Sequence, residues 1–405
     1  MYDALVLDAR NRQSLATVRS LGHQRLKVAA LETFNNVKMP RGVPAFSSRW
    51  CRQQFYAPSY EQNKEPYLAF LEQLLDDIGV RVLIPSADGT IALIRQHRKQ
   101  LERRTRIALA KEPALGIALN KEQTLEVARQ LRIAVPRGVR VDSVNEVSAA
   151  IREIGLPIVV KPIESWLSGE QQSARLECKL ATTPQEARSA VEELMRFGGK
   201  TLFQQFLTGR REAVSFLYAT GQTYARFAQW AKRTMPPLGG ASVLRQSITI
   251  PQDIGEQAER IVREIELEGY SEVEFRRDSA GTPYLMEINP RLSASVEVAI
   301  HSGIDFPYLL YQWANGDPID HVKEYRIGYW MRYLGGDIIT TGQTLLQHGR
   351  PGVTPPVQAI FDFCISFLKP MGYDYVDWKD PLPAYTAAID FMRFLFTAVR
   401  RSLDR

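Results

Sequence analysis

Residues 270–291, YSEVEFRRDSAGTPYLMEINPR, combine the alternation of a β-strand with more carboxylates than a surface hairpin needs. The turn-forming run at 279–282 predicts a β-hairpin in which Asp278 pairs with Pro283 and Glu274 lies opposite Glu287. In that register one face is apolar and carries Val273, Phe275, Tyr284, Met286 and Ile288. The other face is polar and carries Glu272, Glu274, Glu287 and Asn289. A slip of one residue would mix the two faces, so the pattern itself favours this register.

Two carboxylates directly opposite one another in a sheet repel unless a positive group lies between them. Oxygen ligands at this spacing suit Mg²⁺, so Glu274, Glu287 and Asn289 are the candidate metal ligands. Arg291 continues the same face and places a cation beyond the metal. The alternative is an ordinary solvated sheet face. On the metal hypothesis, replacing Glu287 with Gln should leave the apo protein as stable or slightly more stable, because the change relieves a like-charge pair.

The 405 residues carry a net charge of +6, and 45% hydrophobic with 24% charged residues is typical of a globular protein of two or three domains. Lys and Arg are spread along the chain without a nucleic-acid-binding module, so a nucleic-acid partner is not expected. No apolar stretch reaches the length of a membrane span, and the N-terminus lacks a basic leader. Cys51, Cys178 and Cys364 show no paired spacing, which argues against disulfides or a zinc site and predicts a cytoplasmic protein.

The segments VEF (273–275) and MEINPR (286–291) resemble the metal-binding hairpin of the ATP-grasp ligases, the superfamily that includes the large chain of carbamoyl-phosphate synthase. The resemblance implies ATP as cofactor, together with two magnesium ions or manganese in their place. It places Glu287 between the ions and Glu274 and Asn289 to either side. It also places Arg291 on the transferred phosphate or on the substrate.

Two further segments resemble phosphate-binding parts of the same superfamily. The pair Asn120-Lys121 before a helix, and the apolar strand 156–162 that contains Lys161, imply two lysines on the nucleotide. Taken alone, Lys121 would be an ordinary surface lysine. The loop 163–174 resembles the flap that covers the phosphates, although it has one glycine where relatives have several. The flap contacts implied by the resemblance are Ser168 and Gly169.

The strand 201–207 resembles the hinge that holds adenine, and it implies contacts from Gln204, Gln205, Phe206 and Leu207. Gln205 stands where the family has Glu, and its amide oxygen can accept a hydrogen bond from the 6-amino group. Glu212 falls where the family places a carboxylate near the ribose. The alternative for these polar residues is an exposed hairpin face. The loop 232–242 is rich in Pro and Gly, and it predicts that Lys232 or Arg233 reaches the γ-phosphate.

Short apolar runs at 4–9, 26–31, 80–85 and 106–110 alternate with helix-period segments, which predicts a small parallel sheet with helices on both faces. The predicted fold class is α/β and α+β. It comprises a Rossmann-like domain (1–115), a two-lobed ATP-grasp domain (116–318, with lobes at about 133–207 and 208–318) and a C-terminal extension (319–405). The first strand lacks G-x-G-x-x-G, so no dinucleotide is assigned. Arg10 and the segment 85–89 follow strands, where ligands bind in open α/β sheets. The alternative is a helix cap by Ser86 or Asp88.

The C-terminal extension contains no recognised motif. Residues 329–334 have strand character, with Arg332 either on the substrate side or on a surface strand. The amphipathic helix predicted at 387–399 is expected to pack within the chain or across a homodimer. A peripheral membrane contact is the alternative that we do not favour.

The function that the resemblance implies is carbon–nitrogen bond formation between two small molecules. A carboxylate substrate takes the γ-phosphate to form an acyl phosphate, and an amine then displaces phosphate to form an amide. The candidate catalytic residues are Arg291, Arg233 and Lys232, and no nucleophilic side chain is required. Two alternatives stay open: a ligase that uses a thiol or bicarbonate, and a nucleotide-binding protein without the chemistry.

Overall fold

The computed structural model describes residues 1–34, 42–61, 63–168 and 173–403. The N-terminal part is a parallel sheet of five strands in the order β3-β2-β1-β4-β5, with the helices that connect them packed on it. Its elements are β1 (Tyr2–Val6), α1 (Arg12–His23), β2 (Val28–Phe34), β3 (Cys51–Pro58), α2 (Lys64–Ile78), β4 (Val80–Ile84), α3 (Asp88–Leu101), β5 (Arg106–Ile107) and α4 (Ala114–Leu119), with a 3₁₀ turn at Pro44–Ser47.

The next segment forms a smaller sheet of four antiparallel strands in the order β10-β7-β11-β6. Helix α6 buries Val147, Ala150 and Ile154 against this sheet, which is the spacing of one helix face. The elements are α5 (Lys121–Gln130), β6 (Gly138–Val141), α6 (Val147–Ile154), β7 (Ile158–Pro162), β8 (Trp166–Ser168), β9 (Ser173–Arg175), β10 (Lys179–Ala181), α7 (Pro184–Arg196) and β11 (Thr201–Gln205). Strands β8 and β9 pair only with each other within the described ranges.

The largest sheet has seven strands in the order β16-β15-β12-β13-β14-β17-β18. Its elements are β12 (Arg211–Ala219), β13 (Gln222–Met235), β14 (Ala241–Ile248), α8 (Gln252–Glu264), β15 (Gly269–Arg277), β16 (Pro283–Asn289), α9 (Glu297–Ser302), α10 (Phe306–Asn315), β17 (Trp330–Arg332), α11 (Leu334–Leu346), α12 (Pro356–Ile365), β18 (Gly372–Tyr373) and α13 (Leu382–Leu403). The mixed α/β and α+β class predicted from the sequence is confirmed.

The predicted hairpin is β15–β16, and Glu274 lies opposite Glu287 as expected. The turn register differs, because Arg277 and not Asp278 pairs with Pro283. A β-bulge after the glutamate pair brings Phe275 opposite Leu285 and leaves Met286 as the extra residue. Leu285 is therefore fully buried in the core, whereas Tyr284 and Met286 are only partly buried. The assignment of Tyr284 and Met286 to the apolar face was wrong, because the bulge reverses the alternation on that strand.

The C-terminal extension is joined to the large sheet. Strand β17, within the predicted 329–334 segment, pairs antiparallel with β14, and β18 adds the last strand. Arg332 is fully buried and forms an ion pair with Asp337 at 2.6 Å, so it lies neither on a surface strand nor on the cavity described below. The boundary near residue 318 stays a prediction, although the sheet continues across it.

Helix α13 includes the predicted amphipathic helix and is longer. Its first half packs on the 3₁₀ turn, where the hydroxyls of Ser47 and Thr386 are 2.5 Å apart. Several of its apolar side chains are exposed, among them Ile389, Met392 and Phe396. That a second protein surface covers them stays a prediction. Among the described residues, no helix is long and apolar enough to cross a membrane.

A buried cluster of three charges ties the N-terminal sheet, the large sheet and the extension together. Asp374, after β18, accepts hydrogen bonds from Arg12 of α1 at 2.5 Å and from Arg245 of β14 at 2.5 and 3.2 Å. Arg245 and Asp374 have no exposed side-chain surface. Burial alone would raise the pKa of Asp374, but Arg245 and Arg12 outweigh it and lower that pKa.

Replacing Asp374 with Asn should destabilise the protein strongly, because two buried guanidinium groups would lose their shared counter-charge. We expect the free energy of unfolding to fall by about 3–5 kcal/mol, measured by denaturant titration. In the parent, this contribution is present above the ordinary Asp pKa and is lost as the pH falls through the lowered folded-state pKa. Asp377→Asn, three residues along the same loop, is the control and should change little. Equal stability of the two variants would contradict the structural role of the cluster.

Candidate active site

Two adjoining cavities of about 610 and 620 Å³ lie where the three sheets meet, and both have Asp88, Glu287 and Asn289 in their walls. The hairpin β15–β16 forms one wall. The small sheet contributes Lys161 from β7 to one cavity, and the start of α5 contributes Lys121 to the other. The residues of the predicted metal hairpin therefore lie between the two predicted nucleotide lysines.

Glu274 is held by an arginine that the sequence analysis did not single out. Its Oε2 accepts hydrogen bonds from Nε and Nη2 of Arg211 at 2.9 and 2.5 Å, and its Oε1 accepts one from Asn289 Nδ2 at 3.1 Å. Burial raises the pKa of Glu274, Arg211 opposes that rise, and the nearby Glu287 adds to it. Arg211 thus neutralises part of the charge that the facing glutamates bring into the interior.

Glu287 is surrounded by positive charge. Burial alone would raise the pKa of its carboxyl group, but the cations around it lower that pKa overall, and these are Lys121, Lys161, Arg211 and Arg291. Within the described ranges no side chain donates a hydrogen bond to this carboxylate. It is therefore ionised and available to a further ligand. The expectation that Glu287→Gln would not destabilise the apo protein is reversed, because the change would leave these cations with less compensating charge.

The donors on the hairpin fit a magnesium ion that completes its shell from a nucleotide and water. No group of three His, Cys, Asp or Glu side chains surrounds one point in the described part of the chain. A magnesium ion held by Glu274, Glu287 and the amide oxygen of Asn289 would therefore need further ligands. Mg²⁺ is usually held in this way, by one or two carboxylates together with waters and phosphate oxygens.

The two lysines occupy different local settings. Lys121 begins α5, whose N-cap is the side chain of Asn120, and its Nζ donates to Ser165 Oγ at 2.9 Å. Lys161 is 7% exposed, and burial lowers the pKa of its ammonium group. Buried ammonium groups next to a free carboxylate form a strong site for a polyanion.

The flap is described only in part. Ser168 ends β8, but its side chain is not described, and Gly169 lies outside the described residues. Trp166 of the same strand lies in the walls of both cavities, and its ring centroid is 5.5 Å from that of Tyr60 in the N-terminal part. The proposed contacts from Ser168 and Gly169 to phosphates stay predictions.

In the hinge strand β11, Gln204 and not Gln205 shares a face with residues of the cavity wall. Gln204 lies directly opposite Val159, two residues before Lys161 on β7, and both of these line the cavity. Gln204 is fully buried, and within the described residues neither its Oε1 nor its Nε2 has a hydrogen-bond partner. Gln205 instead accepts a long hydrogen bond of 3.5 Å from the backbone of Arg137. The geometry therefore favours Gln204 over Gln205 as the amide that reads the base.

Phe206 and Leu207 follow this strand. Leu207 is 4% exposed, and the Phe206 ring lies 5.8 Å from the guanidinium of Arg276, which lines the cavity. Glu212 also lines the cavity, and its carboxylate is 2.7 Å from Arg277 and 3.2 Å from Arg210. Its role at a ribose stays a prediction.

Lys232 and Arg233 are not brought to either cavity. Lys232 forms an ion pair with Asp362 at 3.1 Å, and Arg233 binds both carboxylate oxygens of Asp337 at 2.6 Å. Both partners belong to the C-terminal helices, which the sequence analysis could not place. Arg291 does line the cavity, and its Nε donates to Asp88 at 2.6 Å. Asp88 is the first residue of α3 and lines both cavities, and that it faces the substrate stays a prediction.

Cys178 is the cysteine closest to the site. It lines the cavity with Lys161, and its low-dielectric surroundings raise the pKa of its thiol.

Solved structures similar to this one define the class of fold. A biotin carboxylase from Campylobacter jejuni matches with a TM-score of 0.63 at 14% identity, covering 82% of this chain and 74% of that one. An L-amino acid ligase from Bacillus licheniformis matches with a TM-score of 0.59 at 17% identity, covering 78% of this chain and 75% of that one. The chain has the ATP-grasp fold, and the resemblance seen in the hairpin motif is confirmed.

Residues 201–335 match a family model described as ATP-grasp in the biosynthetic pathway with Ter operon. Among curated proteins, a D-alanine--D-alanine ligase of Geobacter sulfurreducens is 29% identical over 223 residues. That match covers 49% of this chain and 64% of the ligase, so it spans less than two thirds of the relative's length.

Lys161→Ala should weaken ATP binding by about ten- to a hundred-fold, because one charge-assisted contact to the phosphates is lost. Calorimetric titration with ATP measures this. Lys179→Ala, an exposed lysine on the neighbouring strand β10, is the matched control and should bind as the parent does. Unchanged affinity in Lys161→Ala would remove that lysine from the nucleotide site.

Proposed function

We propose that this protein is an ATP-dependent ligase that joins a carboxylate to an amine through an acyl phosphate, with release of ADP and phosphate. The observation that carries the proposal is Glu287, an ionised carboxylate that is surrounded by four cations and accepts no side-chain hydrogen bond from the described residues. If the Glu287 carboxylate served only the stability of the fold, we would expect it to accept hydrogen bonds from neighbouring side chains. A nucleotide with its metal completes the arrangement.

Each part of the site has a defined task in this reaction. Lys121 and Lys161 bind the phosphates, Gln204 contacts the base, and Arg291 holds the transferred phosphoryl group. Glu274, Glu287 and Asn289 would hold two magnesium ions, which Mn²⁺ can replace. The ions would neutralise phosphate charge as the phosphoryl group is transferred.

The chemistry needs positioning more than reactive side chains. The carboxylate oxygen of the first substrate attacks the γ-phosphorus, and the bond to the β-phosphate oxygen breaks to release ADP. The amine nitrogen then attacks the acyl carbon, the acyl–phosphate bond breaks, and the amine loses a proton. Arg291, anchored by Asp88, is placed to stabilise the charge that develops on the transferred group.

We further propose small-molecule substrates, a cytoplasmic location and a homodimer in which α13 is covered. The three free cysteines support a reducing compartment, and the exposed apolar side chains of α13 support an interface. Two alternatives remain, a nucleotide-binding protein without catalysis and a ligase for a thiol or bicarbonate. ADP release in the presence of mixed carboxylates and amines distinguishes both from the proposed ligase.

Glu287→Gln tests the proposed function without knowledge of the substrates. The apo variant should be less stable than the parent, because the surrounding cations lose a counter-charge. It should also lose the part of the ATP-induced rise in melting temperature that depends on magnesium. The control is Asp337→Asn, which neutralises a buried carboxylate paired with Arg233 and Arg332 away from the cavities.

The control should lose stability but keep the magnesium-dependent rise. Thermal unfolding with ATP alone and with Mg-ATP measures both effects. A Glu287→Gln variant that keeps the full magnesium-dependent rise in melting temperature would contradict the metal assignment and, with it, the ligase proposal.

A further inference from the structure

Glu272 is a buried carboxylate in the cavity wall that the proposed reaction has not used. It lies on β15 two residues before Glu274, is 3% exposed and pairs across the hairpin with Asn289. In the described part of the chain it forms no salt bridge. Its Oε2 accepts hydrogen bonds from neutral donors alone: Gln229 Nε2 at 2.8 Å, Ser215 Oγ at 3.4 Å and Ser295 Oγ at 3.5 Å.

Gln229, which contacts Glu272, carries an amide oxygen that accepts no hydrogen bond within the described residues. Its side chain is 6% exposed and lines the same cavity, and its Nε2 donates to Glu272 and to Ser295 at 2.6 Å. Its Oε1 has no hydrogen-bond partner among the residues that the structure describes. Turning the amide over would set its oxygen against the Glu272 carboxylate, so the hydrogen bonds fix this orientation. In the described part of the chain, the pocket therefore holds a carboxylate bound by neutral donors alone and an amide oxygen without a donor.

The hydroxyls beside these groups also accept hydrogen bonds. Ser293 Oγ is 3.0 Å from Ser295 Oγ, and both side chains line the cavity. A ligand that suits this pocket carries positive charge and several N–H donors. A primary ammonium group has both, with three donors arranged around one nitrogen. A hydrated metal ion suits the pocket less well, because the side chains that contact Glu272 are neutral amide and hydroxyl groups.

We propose that Glu272, Gln229 and Ser295 form the subsite for the protonated amine of the second substrate, so that the amine enters as a primary ammonium. This inference rests on the proposed function, since it assigns the acceptor of the same reaction. The subsite lies opposite Asn289, next to the hairpin carboxylates and on the same wall as Arg291. The ammonium is thereby held beside the position where the acyl phosphate forms. It releases one proton to water before its nitrogen attacks the acyl carbon, and the second proton is lost after the attack.

Binding can be measured without knowing the substrates, by thermal unfolding of the whole protein in ethylammonium chloride. Tetramethylammonium chloride at the same concentration has the same charge but no N–H donor. In the parent, we expect ethylammonium to raise the melting temperature by about 1 °C more than tetramethylammonium at ten times a millimolar dissociation constant. The difference should vanish in Glu272→Gln and persist in Glu264→Gln, an exposed carboxylate at the end of α8.

Equal shifts for the two salts in the parent would overturn the subsite, as would a difference that survives Glu272→Gln. If Glu272→Gln does not fold, Gln229→Leu removes the unsatisfied acceptor and should abolish most of the difference. A variant that instead needs more magnesium for its ATP-induced rise would assign Glu272 to the metal and would also overturn the proposal.

A kinetic test separates this inference from the proposed function. Hydroxylamine is largely uncharged at neutral pH, and it traps an acyl phosphate as a hydroxamate without needing an ammonium subsite. Glu272→Gln should raise the KM for a primary-amine substrate about ten- to a hundred-fold, a much larger effect than on hydroxamate formation. Parent hydroxamate formation with an unchanged KM in the variant would refute the subsite alone. Failure of the parent to form hydroxamate with any carboxylate would refute the ligase.

Discussion

Two glutamates face one another on neighbouring strands, and Glu274 and Glu287 can occupy the interior together only because positive charge surrounds them. Arg211 binds Glu274 directly, and Glu287 is compensated by cations from several elements. These cations come from the start of α5, the small sheet, the large sheet and the segment after the hairpin. The electrostatic requirement of one hairpin thus sets the relative positions of parts that are distant in sequence.

The local patterns in the sequence predicted the features that depend on local rules. Alternation and a turn predicted the hairpin and the facing glutamates, and strand–helix alternation predicted the N-terminal parallel sheet. The bulge at Met286 could not be predicted, because nothing in the alternation marks which residue is the extra one. Gln204 and Gln205 were both predicted to contact adenine. Only the pairing of Gln204 with Val159 shows that Gln204 is the one on the face that carries Lys161.

Residues whose roles depend on distant partners were the ones misplaced. Lys232 and Arg233 have the composition of a phosphate site, yet their charges are taken by Asp362 and Asp337 more than a hundred residues later. Arg211 was missed although it lies two residues before Ala213, which is opposite Glu274. Residues two apart on a strand share a face, so the position of Arg211 on β12 is the signal that would have found it. Sequence spacing gives the face of a strand, but it does not show which charge on that face is already neutralised.

The pairing of β17 with β14 also prevents one kind of contact between copies of the molecule, the pairing of strands edge to edge. Leu244, Arg245 and Gln246 of β14 pair with the short strand at 330–332. A chain that ended near residue 318 would leave the outer side of β14 as an exposed edge with free backbone donors and acceptors. Such an edge, beside the buried Val243 and Leu244, is a template for pairing with a strand of another chain. The C-terminal segment therefore also protects the ligand-binding sheet from aggregation.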